Sequence, residues 1–589
     1  MKTAKTKFSF ASFSYRHFGW MGQIMGRAFY SNGHVKLEDS LKDTGLRIYP
    51  EAYFSMIGFL FLLSIALTAV AVILTGFIFL VPAPLLIILF GYAVPKIIAK
   101  DRAQKLDLEV PFAGTYISVM ATGGLSPYAS LRRLKNCDLL PHISKVTQDI
   151  EIDVRIKGVD PVSAMEKSAK NLPSKDYKEL MLGYASSLRT GGDVIHYLLV
   201  RTETMFNDLA VKVKSFGERA GMLMESYITV SILMTLVLTI MFMTTMSLQQ
   251  FWQGSVSASS FLMYGYLIVP VVSMLFIYLS DSQQISQPVS DWAPYKVFLA
   301  TLPIMFFLIL TMFLPFAIQI TLPFAPPFAG FVTWLRSAFG LQQGYEAAIG
   351  MGIALLAGSI PAAVAHSYYG RRGKGVEHDV TNFMRDLTET RKTGASPESC
   401  IENLSERNYG KFTPILKEAS RQIQWGLPFG VIYETFKKKI KSWLALINIY
   451  LLVDAIDVGG GTPETLETLT HFSEALTSLE KEKKEALRPL LLMPYVGAGI
   501  LLISTIVFLG FSQSILGSFG HQTIPFAQVV TLILPPLMVQ TFFIGLVSGK
   551  ISSGETSAGF KHAVILMIVA LALLPLVGYI TSPLQGGFG

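Results

Sequence analysis

The sequence predicts an all-α, polytopic membrane protein with about nine transmembrane helices and two cytoplasmic helical-bundle domains, built by an internal, parallel duplication. Three observations carry that prediction. Apolar stretches of about 20 residues recur, each long enough to cross ~30 Å of hydrocarbon. Lysine and arginine are gathered into three regions instead of being spread along the chain. Glycine- and proline-containing landmarks return at one nearly constant offset, close to half the chain.

Residues 1–52 are basic and aromatic, with Phe8, Phe10, Phe13, Phe18, Trp20 and Phe29 among the cations, and predict an interfacial amphipathic element on the cytoplasmic side. The apolar run 53–98 is too long for one helix and contains Pro82 and Pro84, so it reads as a hairpin of two spans, 53–75 and 76–98. Residues 99–225 form the first cytoplasmic domain. Four spans follow within 226–366, at about 226–247, 261–279, 297–319 and 345–366. Residues 367–489 form the second cytoplasmic domain. The stretch 490–589 holds the last three spans, 490–511, 525–547 and 563–581, with a short outer C-terminus.

Charge sets the orientation. Of 49 Lys and Arg residues, eight lie in 1–50, eighteen in 99–225 and eighteen in 367–489. An N-terminus inside puts all three regions in the cytoplasm of a multi-pass cell-membrane protein. The 248–260 and 512–524 loops, which contain neither residue type, then fall outside, and Arg336 is the one cation on the outer face. The first apolar run is long enough to stay as an anchor instead of being cleaved.

The repeat is read from three landmarks. Gly123-Gly124 with Ser126-Pro127 returns as Gly394 with Ser396-Pro397. The stretch Arg155-Ile156-Lys157-Gly158 and Pro161 returns as Ile423-Gln424-Trp425-Gly426 and Pro428. Gly191-Gly192, followed by Asp193, returns as Gly459-Gly460-Gly461. Ser-Pro and Thr-Pro pairs predict an N-cap followed by proline in the first helical turn, where its missing N–H is not needed. Glycine just before them predicts a left-handed helix end. Between landmarks the leucine spacing is helical, so each domain is expected to be a bundle of about six short helices.

The classes open to such a chain are transporter, enzyme and scaffold. The span interiors hold no Asp, Glu, Lys or Arg; Lys96, Glu225 and Glu346 stand at span ends. Intramembrane charge usually marks an ion or substrate path, so a secondary transporter with duplicated cytoplasmic domains is the alternative reading, kept open by Pro303 and Pro315 in span five. No G-x-x-x-x-G-K-[ST], H-E-x-x-H or G-x-S-x-G motif occurs, and the run Gly370–Gly375 reads as a basic juxtamembrane anchor. The two cysteines, Cys137 and Cys400, fall on the cytoplasmic side and are expected to be reduced. No catalytic residue, metal or cofactor is expected. Positive-inside bias accounts for the net charge of +8 without a nucleic-acid partner.

What remains is a machine part with large cytoplasmic faces. Its candidate docking residues for an acidic partner are Arg132, Arg133, Lys135, Arg155 and Lys157 in the first domain. In the second they are Lys437, Lys438, Lys439 and Lys441, the densest run and the leading docking candidate, because the domain around it is otherwise near neutral. The glycine landmarks are candidate hinges as well as caps.

The stretch Val119-Met120-Ala121-Thr122-Gly123-Gly124, then Ser126-Pro127, resembles the type II secretion system F domain. So does Tyr184-Ala185-Ser186-Ser187-Leu188-Arg189-Thr190-Gly191-Gly192-Asp193. The duplicated layout is similar to archaellum assembly membrane proteins of the FlaJ (ArlJ) type and to platform proteins of archaeal adhesive pili. That resemblance implies a membrane platform under a type IV-like filament. It further implies docking of a cytoplasmic hexameric secretion ATPase and lifting of pilin-like or archaellin subunits from the bilayer, by a protein that is not itself an enzyme. A homodimer is the oligomer expected. The second domain departs from the pattern where Glu398 stands for Tyr128 and a glycine run replaces Gly-Gly-Asp.

Overall fold

The computed structural model describes residues 14–20, 50–75, 83–247, 262–284, 292–318, 323–373, 375–458, 461–518 and 526–586. Among them every regular element is helical, as predicted. The chain divides into two compact units, Met1–Met205 and Phe206–Gly589.

In the first unit, α1 (Pro50–Thr75) packs on the start of α2 (Ala83–Thr122). Tyr53 Oη donates to Gly91 O at 2.7 Å, and a Cβ at Gly91 would lie 2.8 Å from Ile57, so the missing side chain permits the close approach. The tip of this expected hairpin, 76–82, lies outside the described residues, as do most of residues 1–49. Residues 14–20 are helical, and Phe18 packs on Phe59 of α1 with ring centroids 5.0 Å apart. The first domain then follows as α3 (Pro127–Arg133), α4 (Pro141–Arg155), α5 (Pro161–Asn171), α6 (Lys175–Thr190) and the start of α7 (Val194–Ser247). Its core is apolar and closed: Tyr116, Ile117, Met120, Leu131, Leu134, Leu140, Ile143 and Tyr177 are all essentially inaccessible.

The second unit holds the remaining spans and the second domain. Five spans here are helices α8 (Val269–Gln283), α9 (Ala293–Leu308), α11 (Glu346–Gly373), α19 (Phe526–Ser553) and α20 (Thr556–Gly586), with α10 (Pro326–Ala338) between α9 and α11. The domain is α12 (Val376–Arg391), α13 (Pro397–Leu404), α14 (Thr413–Gln424), α15 (Phe429–Lys439), α16 (Trp443–Asp457) and α17 (Pro463–Leu487), and α18 (Leu492–Ser518) follows as a span. Small residues let α19 and α20 touch backbone to backbone: a Cβ at Gly545, Gly549 or Gly559 would run into main chain of the facing helix. Polar side chains fasten α7 to α19, with Thr235 donating to Gln540 at 2.7 Å and Gln540 donating to Ser231 O at 2.9 Å. Deep in hydrocarbon such bonds contribute about 1 kcal/mol each.

Seven helices among the described residues are long and apolar enough to cross a membrane; α1 coincides with the expected first span, and the expected second span falls on the beginning of α2. One expectation is corrected: the domain helices are not all short. Span two and the first domain helix are one 40-residue helix, α2, and span three is continuous with the last domain helix in the 54-residue α7. A helix leaves the membrane without a break wherever no residue stops it. In the second domain one break exists: Gly375 takes φ +95° just before α12, while α17 runs through the 3-10 turn Arg488–Leu491 into α18 as one helix, Pro463–Gly510. Near Pro303 and Pro315, span five carries a π-helical turn over Ile309–Phe313, the way a helix absorbs a proline.

Candidate partner-docking surfaces

Each domain is organised by the same polar contacts. Asp107 accepts from Ser174, the N-cap of α6, and Glu377 accepts from Ser442, the N-cap of α16, at 2.7 Å. Glu109, buried to 1% exposure, accepts from the backbone N–H of His142 and Ile143 at 2.8 Å each and meets the His142 ring at 2.6 Å. A carboxylate at the start of α4 also suits the positive end of that helix. Asp379 repeats the contact on Lys411 N at 3.0 Å. Ser118 meets Thr202 at 3.2 Å, and Thr388 meets Thr470 at 2.8 Å. The carboxylate contacts define one end of each domain, close to where its spans depart.

The glycine landmarks are helix ends. Gly124, Gly191 and Gly394 take φ of +87°, +71° and +90°, and nothing lies within 4 Å of a Cβ at any of them. The backbone angle, not space, therefore demands glycine there. Ser126 and Ser396 cap α3 and α13 by accepting from Ala129 N at 3.3 Å and Ser399 N at 3.2 Å. Pro127 and Pro397 open the two helices, and Asp193 caps α7 through His196 N at 3.0 Å. Gly123 N returns to Val119 O at 3.3 Å at the close of α2, and Gly192 N returns to Ser187 O at 2.8 Å. Gly459 and Gly460 lie outside the described residues. Gly461 is held by Arg391, whose Nε donates to Gly461 O at 2.7 Å and Nη1 to Ala395 O at 2.6 Å. That arginine joins two landmarks and has no counterpart in the first domain, where Ala121 stands.

The nine candidate cations fall into two groups of different geometry. In the first domain the structure brings the separate sequence motifs together. Lys135 and Arg155 both pair with Glu151, at 2.5 and 3.0 Å, while Lys157 and Lys167 pair with Asp153, and Arg132 and Arg133 are exposed on α3. The hydrogen bond from Lys135 holds the Glu151 carboxyl below its ordinary range, helped by Arg155 and Arg132; those from Lys157 and Lys167 do the same for Asp153. Three of the expected residues, Lys135, Arg155 and Lys157, thus pair with two carboxylates, and Lys167 joins them. Arg155 closes α4, about 20 Å along the helix from the Glu109 clamp at its start. In the second domain the same positions are Ala419, Arg421, Ile423 and Trp425, and no such cluster forms there among the described residues. Trp425 is instead 75% exposed, beside exposed Leu427 and Val431.

The lysine run lies elsewhere. Lys438, Lys439 and Lys441 are exposed and Lys437 half-buried, at the end of α15 beside the Ser442–Glu377 contact. Lys439 pairs with Glu418 and Lys437 lies 4.0 Å from Glu434.

A feature that sequence reading missed is the pairing of α7 with α17 and α18. Cβ atoms at Gly217, Gly221 and Gly497 would meet Ala486 at 2.9 Å, Leu490 at 3.3 Å and Ile228 at 2.6 Å. In each pair the partners stand one repeat offset apart, so these residues meet their own repeat counterparts to within one position. The signal was visible as Gly217-x-x-x-Gly221 at a span entrance, a spacing that lets helices approach closely.

Comparison with known proteins agrees with the repeat. The profile of Type II secretion system (T2SS), protein F, matches residues 115–242 and again 383–510. The two stretches are equally long, and each runs from inside a domain into the span that follows it. The repeating unit is therefore a domain plus that span. The uncharacterized protein MJ1286 of Methanocaldococcus jannaschii is 20% identical over 516 residues, which is 83% of this chain and 82% of that protein. No solved structure matches the chain.

Proposed function

The chain carries two type II secretion system protein F domains in tandem, and from that premise we propose that it is the membrane platform of a type IV-filament assembly machine, an archaellum or an archaeal pilus. A cytoplasmic hexameric secretion ATPase docks on its helical domains, and pilin-like or archaellin subunits are lifted from the bilayer beside its spans. The platform is not an enzyme: it transmits force, and the absence of a phosphate-binding motif from the sequence agrees with that role. The N-terminus and both domains face the cytoplasm of the cell membrane, a reading supported by the three basic regions.

The observation that carries this reading is the duplicated domain joined to its span. Docking is assigned to the first domain's basic face, where Arg132, Arg133, Lys135, Arg155 and Lys157 gather. Continuous helices α2 and α7 lead from that domain into apolar segments, so a push on the domain displaces the helices without loss in a loop. The register of α7 against α17 supports a unit in which one chain already supplies the paired repeat helices.

Charge reversal tests the docking. Arg132→Glu with Arg155→Glu is expected to reduce ATPase recovered with the full chain from gentle detergent about tenfold, and to abolish filaments while the protein stays in the membrane. Undiminished ATPase recovery with normal filaments removes the assignment. Identification of the co-purifying filament subunit separates archaellum from pilus.

A further inference from the structure

We propose that the lysine turn of the second domain, Lys437 to Lys441, is an anionic-lipid contact that seats this domain on the headgroups of the leaflet from which its own spans emerge. This goes beyond the platform reading and requires no ATPase.

The first observation is composition. From Thr435 to Val453 the chain holds four lysines and no Asp or Glu. The second is placement. Ile440 and Trp443 are buried and fix the turn in the domain, while Lys438, Lys439 and Lys441 are exposed. Ser442, next in the chain after Lys441, caps α16 and donates to Glu377 at 2.7 Å. Glu377 is the second residue of α12, four positions after α11, the helix of span six, ends at Gly373. Lys484 comes to the same carboxylate at 3.7 Å. It precedes Leu490, at the entrance to span seven, by six residues, or about 9 Å of helix. The turn therefore stands about 9 Å of helix from the entrance to span seven and a few residues beyond the end of α11.

A headgroup layer is about 5–7 Å deep and anionic attraction reaches about 8–10 Å at ordinary salt, so ammonium groups at this level lie within its range. Glu418 pairs with Lys439, and Glu434 lies beside Lys437. In the first domain the matching residues are Lys170, Asn171, Leu172 and Pro173 before Ser174, so the same turn there holds one lysine. The contact belongs to the second domain alone.

The test uses the full chain, whose native Cys137 and Cys400 are both buried. A spin label is placed at Lys438→Cys or, at the other end of α12, at Thr393→Cys. Each is reconstituted into phosphatidylcholine vesicles with and without phosphatidylglycerol, with nickel chelated on a trace lipid headgroup. Relaxation at position 438 is expected to exceed that at 393 by about threefold and to rise with phosphatidylglycerol. Lys437→Gln with Lys441→Gln is expected to remove the rise, with an unchanged lineshape at 393 confirming the fold. Equal relaxation at both positions, or none of the dependence on phosphatidylglycerol, overturns the proposal. So does release of a co-purifying acidic cytoplasmic protein by those glutamine substitutions without any change at the headgroups. No ATPase is present in the vesicles, so the outcome is independent of docking on the first domain.

Discussion

The two domains share one set of internal contacts and differ in how they join the membrane and where they carry charge. The first is continuous with its spans through α2 and α7, and gathers its cations around Glu151 and Asp153, a helix length from the Glu109 clamp. The second turns at Gly375 after span six but runs helically through the Pro489 turn into span seven, and holds its lysines beside Glu377, four residues after α11 ends. Duplication kept what the fold needs: a carboxylate on each capping serine, a carboxylate at the third helix, a hydroxyl pair between first and last helices. It left the surfaces free to diverge. One fold thus carries different surface charges and a different junction to its preceding span in each copy.

The largest effect that sharpens this contrast is expected from breaking a continuous helix. Val211→Pro in α7 removes a helical hydrogen bond and should cost about 3 kcal/mol or more, with filaments lost. Pro489→Ala, in the 3-10 turn through which α17 runs into α18, should change stability by under about 1 kcal/mol. Thermal unfolding in detergent and filament counts check both. Equal sensitivity at the two sites would erase the contrast between an interior α-helical position and that turn.

Next comes the buried carboxylate. Glu109→Ala strands two backbone donors and should loosen the first turn of α4 by about 3 kcal/mol, whereas Asp379→Ala strands one, on exposed Lys411, and should cost about 1 kcal/mol. Hydrogen exchange at residues 142–143 and 411–413 reads each locally. A third pair should show no contrast. Ser126→Ala and Ser396→Ala remove caps of the same geometry, so each should cost about 1 kcal/mol. A twofold difference in local exchange protection would mean that the repeat is less exact than its cap distances imply.

The smallest effect is acid sensitivity. Glu151 and Asp153 have lowered pKa values in the folded chain, so their contribution is present above the ordinary carboxylate range and lost as pH falls through the lowered values. The partner cations are largely exposed, so solvent screens the pairs and the effect is small. The second domain, with Ala419 and Arg421 at those positions, has no counterpart. Local exchange followed from neutral pH downward should therefore separate α4 from α14, and Glu151→Gln should remove the separation.

Much of this was legible in residues. Ser126-Pro127 and Ser396-Pro397 announce helix starts because proline and a capping hydroxyl serve best there, and the structure puts helices at both. Gly124, Gly191 and Gly394 announce helix ends because glycine takes that backbone angle without strain. The docking residues were legible as cations but not as groups. Arg132 and Arg155 are far apart in sequence, and only the packing of α3 beside α4 brings them to one carboxylate. The lysine run was visible, but its nearness to span six depended on a contact between Ser442 and the distant Glu377.

The sequence by itself determined the class of molecule: membrane-spanning helices, two helical domains, one duplicated unit. Those follow from local quantities, namely the free energy of placing apolar side chains in hydrocarbon and the backbone preferences of glycine, proline and serine. Tertiary structure decided which faces of the helices meet. Helical periodicity gives a stripe but not its partner, so the Gly217–Ala486 register, the Glu109 clamp and the position of the lysine turn arise only when distant segments pack.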